Sequence, residues 1–145
     1  MSADVEEAVR LIESVIRSLG LDPAGATIPG DSATKAYALK RGSARVVVAV
    51  HTTESGGTFR VLSPCVRIDA KTSPDLFKHL LELNARELVG AAFGVFGDEV
   101  VVVAERTVKD LDASEVESSI RNVGRIGDRY DDALAQRFGV KRSSD

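Results

Sequence analysis

Apolar residues recur at three- and four-residue spacing over residues 3–19. Val5, Ala8, Val9, Ile12, Val15, Ile16 and Leu19 share one stripe, and Glu6, Glu7, Arg10, Glu13 and Arg17 lie mostly opposite. That period predicts an amphipathic surface helix. Asp4 with Glu7 three positions on resembles a capping box, and Gly20 followed by Leu21 suits a left-handed stop. Residues 22–34, rich in Pro, Gly, Ala, Ser and Thr, carry neither period and are expected as an ordered loop. Three β-prone runs follow, at residues 36–40, 45–53 and 58–68. The turn candidates between them, Arg41-Gly42-Ser43 and Glu54-Ser55-Gly56-Gly57, predict an antiparallel meander. In the middle run every position from Val46 to Val50 is apolar, the pattern of a central strand covered on both faces.

The stretch after the meander reads helix, strand, tight turn, strand. Ser73 and Pro74 mark the helix start, and residues 73–85 carry Leu76, Phe77, Leu80, Leu81 and Leu83 around well over half the circumference. A helix lying on one surface needs an apolar stripe of only roughly 100°, so this helix is expected to meet two partners. Asn84, four residues after Leu80, is an amide on that stripe that either caps the helix or fixes its pairing in an interface. Residues 91–96 and 99–104 flank Gly97-Asp98 as a two-residue hairpin. The last element spans residues 112–138, with Asp112 and Glu115 placed as a capping box. Val116, Ile120, Val123, Tyr130, Leu134 and Phe138 form its stripe. Gly124 and Gly127 within it either allow close approach to the sheet or mark a bend.

Composition narrows the function classes. A chain of 145 residues with 43% hydrophobic content suits one domain with one core. Residues 140–145 are a polar, flexible C-terminal tail. The net charge of −3 and the absence of a basic patch argue against nucleic acid as a partner. No positively charged leader is followed by an apolar core, and no apolar run approaches the ~20 residues of a spanning helix. Neither export by a leader nor membrane insertion is expected. The lone Cys65 in a strand suits a buried thiol and the cytoplasm.

Candidate chemistry is sparse. Residues 25–30 have the two-glycine spacing of a phosphate loop, but Asp31-Ser32 stand where Lys and Ser/Thr are needed, and a strand follows instead of a helix. Gly90, Gly94 and Gly97 do not match a dinucleotide fingerprint. One Cys with the separated His51 and His79 cannot supply the roughly four clustered ligands of a zinc site. Cys65 or Ser63 with His51 could form a nucleophile and base only in space, and no nucleophile elbow is present. The acidic pairs Glu6-Glu7, Asp110-Asp112 and Asp131-Asp132 read as solvated charge. No catalytic residue, metal ligand or cofactor site is expected.

The order helix, three strands, helix, two strands, helix resembles the type III secretion chaperone-like fold, and within it the YbjN-type family. The resemblance rests on the Leu-rich helix ending in Asn84, on Phe93-Gly94-Val95-Phe96 with its hairpin, and on the long last helix. It implies an α+β domain over residues 1–139 with a single antiparallel five-stranded sheet. The first and last helices would share one face, and the middle helix would lie at a homodimer interface. The interface residues so expected are Leu76, Phe77, Leu80, Leu81, Leu83, Asn84, Phe93 and Phe96. The resemblance also implies a non-enzymatic, chaperone-like or regulatory module that holds a segment of a partner protein. A small-molecule sensor with a pocket beside the sheet is the alternative.

Overall fold

The computed structural model describes residues 3–145, so the first two residues of the expected domain fall outside it. Helix α1 (Ala3–Ser18) is followed by the one-turn helix α2 (Pro23–Ala26) and by strands β1 (Thr27–Ile28), β2 (Thr34–Arg41), β3 (Ala44–Thr53) and β4 (Gly56–Arg67). Then come α3 (Pro74–Arg86), β5 (Ala92–Phe96), β6 (Glu99–Thr107) and α4 (Ala113–Phe138). All strands pair antiparallel in one sheet, in the order β1-β2-β3-β4-β6-β5.

The α+β class and the antiparallel sheet agree with the sequence reading, but the sheet has six strands where five were expected. Both additional elements come from residues 22–34. The Asp22 carboxylate accepts a hydrogen bond from the Ala24 N–H at 3.1 Å, and Pro23 opens α2. That Asp-Pro start is a helix signal, but one turn is too short to show a period. Thr27 and Ile28 pair with Tyr37 and Ala36, and two residues cannot display alternation.

Local chemistry sets the helix ends. The Leu21 N–H reaches the Ile16 carbonyl at 3.2 Å and the Gly20 N–H reaches that of Arg17 at 2.9 Å. These are the two bonds of a Schellman stop, which needs the positive φ of Gly20 (+84°). Asp4 lies inside α1 and not ahead of it, so the expected Asp4–Glu7 box does not form. The Asp112–Glu115 box at the start of α4 does form, with both reciprocal bonds present.

The four helices of the described residues lie on one side of the sheet. Helices α1 and α4 cover its middle strands, and α3 lies along β5 at the edge. Tyr37 and Leu39 from β2, Val46, Val48 and Val50 from β3, Phe59, Val61 and Val66 from β4, and Val100 and Val102 from β6 fill the core. They meet Ile12 and Ile16 of α1, Leu76, Leu80 and Leu83 of α3, and Val116, Ile120, Val123 and Leu134 of α4. The Tyr37 hydroxyl donates to the Glu13 carboxylate and ties β2 to α1. Burial, reinforced by that carboxylate, raises the Tyr37 phenol above its usual range. The Tyr130 hydroxyl donates to Glu87 at 2.9 Å, linking α4 to the end of α3. The Asp128 carboxylate accepts from the Ser43 N–H at 2.8 Å, pinning α4 to the β2–β3 turn, and the Ser43 hydrogen bonds hold that carboxyl below its usual range.

Gly124 and Gly127 permit close approach, and α4 runs unbroken through both. A Cβ on Gly124 would lie 3.0 Å from Arg41 Cβ, and one on Gly127 would lie 2.8 Å from Ser63 Oγ. The two glycines let the helix backbone rest on β2 and β4.

Candidate interaction surface

The structure separates the residues considered for chemistry. Cys65 is buried on the helical side with its Sγ 3.9 Å from the Gly127 carbonyl oxygen, and burial pushes its thiol up to about 12. Ser63 is also buried on that side, against Gly127. His51 pairs across strands with Thr34 and Thr58, and its Nδ1 lies 2.9 Å from Thr34 Oγ1. It belongs to the opposite face of the sheet. The His79 ring packs tilted against that of Phe138, centroids 5.6 Å apart, between α3 and α4. Neither the Cys65–His51 nor the Ser63–His51 pairing is assembled. Among the described residues no group of three or more His, Cys, Asp or Glu side chains is placed to hold a metal ion. Among the described residues no helix is long and apolar enough to cross a membrane.

The feature that stands out is the sheet face opposite the helices. The continuous apolar run of β3 was expected to be covered on both faces, yet no helix among the described residues lies over Val47 and Ala49. The register shows what this face presents. Ala38 pairs with Val47, Val47 with Leu62, Leu62 with Val103, and Val103 with Ala92. One apolar row therefore crosses five strands. The next row toward one end is Pro64, Val101 and Gly94, and Phe96 follows at the sheet edge, 66% exposed. Toward the other end come Ala36, Ala49, Arg60 and Glu105, with Arg60 and Glu105 ion-paired, and then Thr34, His51, Thr58 and Thr107. Apolar character thus fades along the strands into a polar margin. A shallow hollow of ≈ 270 Å³ lies over the apolar end, between Leu62, Phe96, Val101 and Val103.

The residues expected at an interface divide into two groups. Leu76, Leu80, Leu83 and Phe93 are buried in the protein's own core. Leu81 is 68% exposed and Phe77 and Asn84 are partly exposed, while Phe96 and its neighbour Val95 project from β5. Asn84 does not cap the helix; within the chain its amide pairs with the backbone of β5. Its Oδ1 accepts from the Phe93 N–H at 2.7 Å and its Nδ2 donates to the Phe93 carbonyl at 3.1 Å. The amide closes the outer edge of β5 as a neighbouring strand would. We expect Asn84→Ala to cost about 1–2 kcal/mol. Asn84→Asp should cost more at neutral pH, because a carboxylate oxygen would face the Phe93 carbonyl. That contact raises the folded-state pKa of the new carboxyl, so the variant should regain stability as pH falls and the group protonates. Urea denaturation at pH 7 and pH 4 measures both effects.

Sequence reasoning missed two features. The five-strand apolar row depends on register between strands distant in the chain, which a single strand's pattern does not reveal. Residues 140–145, read as a flexible tail, lie along the end of β4: the Arg67 N–H donates to the Lys141 carbonyl at 2.8 Å and the Ser143 N–H to that of Cys65 at 3.0 Å.

Comparison with known proteins completes the picture. Residues 6–145 match the family described as T3SS (YopN, CesT) and YbjN peptide-binding chaperone 1. Among solved structures, the ExsC–ExsE complex contains a chain with a TM-score of 0.66 at 17% identity, covering 92% of this chain and 97% of that one. A chain of the HopA1–SchA chaperone–effector complex aligns with a TM-score of 0.61 at 9% identity, over 91% and 98% of the two chains. The heterodimeric ExoU–SpcU complex from the type III secretion system of Pseudomonas aeruginosa gives 0.55 at 14% identity, over 85% and 96%. No curated protein matches the chain in sequence. At these identities the structural likeness establishes the fold, and the family match over nearly the whole chain carries the assignment: this protein belongs to the family of type III secretion and YbjN peptide-binding chaperones.

Proposed function

We propose that the protein is a non-enzymatic, cytoplasmic peptide-binding module that holds a segment of a partner protein on the helix-free face of its sheet, and that it works as a homodimer. The observation that carries the binding reading is the apolar row Ala38–Val47–Leu62–Val103–Ala92, together with Val101 and Phe96 beside it. Val47, Leu62 and Val103 are partly buried with no helix over them, so covering each would gain a part, about 1 kcal/mol, of what full burial of such a side chain contributes. A partner segment with apolar side chains at regular spacing would supply that cover. The structural relatives support this reading, since HopA1–SchA is a chaperone–effector complex. The polar margin at His51, Thr58 and Thr107 sets one end of the expected footprint. Selection of a random twelve-residue peptide library on the immobilised protein tests the proposal. It should enrich apolar residues at two- or four-residue spacing, and no enrichment would refute it.

The homodimer reading rests on what remains exposed around α3 and β5: Phe77, Leu81, Val95 and Phe96. A two-fold axis there would pair like with like and close the assembly. Light scattering at tens of micromolar should give twice the chain mass for the wild type. Leu81→Asp should give the single mass with an unchanged far-UV spectrum, because a 68% exposed side chain is not needed inside the fold. A wild-type monomer would refute the dimer.

A further inference from the structure

We propose that residues Lys141–Ser143 are an internal strand occupying a strand-addition edge of β4, and that an extended, basic partner segment binds by displacing it. This rests on the peptide-binding reading above and adds a second, regulated site to it. The edge exists because β3 and β4 part company. Their pairing ends at Val47 and Leu62, and β4 then bulges between Pro64 and Val66. From there to Arg67, β4 pairs with β6 on one side only, and the Arg67 N–H and Cys65 carbonyl point the other way, where Lys141 and Ser143 take them up. An edge with unpaired backbone groups is a template for another strand. Here the chain supplies its own.

The hold is weak by construction. Two backbone hydrogen bonds carry the pairing around the Val66–Arg142 bridge. The other ties are charged and largely exposed: Arg142 pairs with Asp132 at 3.1 Å and with Asp145 at 2.8 Å, and Arg67 donates to the Asp145 carbonyl at 3.0 Å. Such contacts contribute little. None of residues 141–145 is hydrophobic. The Ser143 hydroxyl is buried without a hydrogen-bond partner among the described residues, which opposes docking. A hollow of ≈ 400 Å³ beside the segment, bounded by Arg45, Pro64 and Asp131, leaves room for larger side chains than Ser143 and Ser144. Asp132, which receives Arg142, specifies a basic residue in register with Val66.

Two substitutions at one position should move binding in opposite directions. Ser143→Pro removes the N–H that reaches Cys65 and frees the edge, whereas Ser143→Ala removes the unpaired hydroxyl and tightens the docked segment. The probe is a random twelve-residue peptide library displayed on phage, selected on the full-length Ser143→Pro protein. The recovered peptides should carry Arg or Lys. They should bind wild type about fivefold more weakly than Ser143→Pro, and Ser143→Ala more weakly still. Asp132→Ala should remove the basic preference. Hydrogen exchange offers a second reading: the Ser143 and Arg67 amides of the wild type should exchange at least about 100-fold faster than the β4–β6 amides. Peptides that bind all three proteins equally would overturn displacement and leave the sheet-face reading intact. No enrichment on any of them would overturn both.

Discussion

Gly127→Val is expected to destabilise the protein by about 3 kcal/mol, a large share of the roughly 5–15 kcal/mol that holds a typical domain folded. The Cβ alone would lie 2.8 Å from Ser63 Oγ and 3.4 Å from Ala44 Cβ, and the two added methyl groups have no space between α4 and the sheet. Ser63 is itself fully buried, so its hydroxyl cannot escape to solvent. The cause can be separated from a general effect of changing a helical glycine. In a Ser63→Ala background the 2.8 Å contact disappears, and the nearest neighbours of a Cβ at 127 are the methyl carbons at 3.4 Å. Gly127→Ala should then recover most of the ~1 kcal/mol that alanine gains over glycine in a helix. The same change should destabilise the wild-type background. A double-mutant cycle by urea denaturation should show coupling of about 1–2 kcal/mol. Additive effects would mean that α4 can lift off the sheet without cost.

The second large effect concerns binding. Leu62→Asp, in the middle of the five-strand apolar row, should weaken binding of sheet-face peptides by about 100-fold, since covering an unpaired carboxylate carries a heavy desolvation cost. Stability should change far less, because Leu62 points away from the helices and is only partly buried. Thr58→Asp, on the polar margin of the same face, should leave peptide affinity within a few-fold of wild type. Fluorescence anisotropy with a labelled peptide from the library compares the three proteins directly. Equal loss in both variants would point to a nonspecific charge effect on the face.

Much of the fold was legible in the sequence because its signals are local. The Asp112–Glu115 box, the Ser73-Pro74 start and the Gly97-Asp98 turn each depend on residues within four positions of one another, and all three are present in the structure. The apolar run of β3 was legible as a strand, but its second face was assigned a cover that no described helix supplies. Hydrophobicity reports that a surface avoids water and not what shields it. The α3 stripe shows the same limit: the pattern is apolar around most of the helix, yet Leu76, Leu80 and Leu83 turn to the protein's own core and Leu81 faces out. Asn84 drew attention as an amide on an apolar stripe, but its partner is the backbone of Phe93, brought beside it only when β5 packs along α3. The strand-like seating of residues 141–143 had no local signal, since its pairing is specified by a gap between β3 and β4.

The central claim is that the uncovered sheet face holds a peptide. Methyl NMR of the protein titrated with a library-selected peptide locates the contact residue by residue. Val47, Leu62, Val101 and Val103 should shift together and saturate with the peptide, while Ile120, Val123 and Leu134 under α4 stay in place. Saturable binding with shifts confined to the helical side would contradict the account.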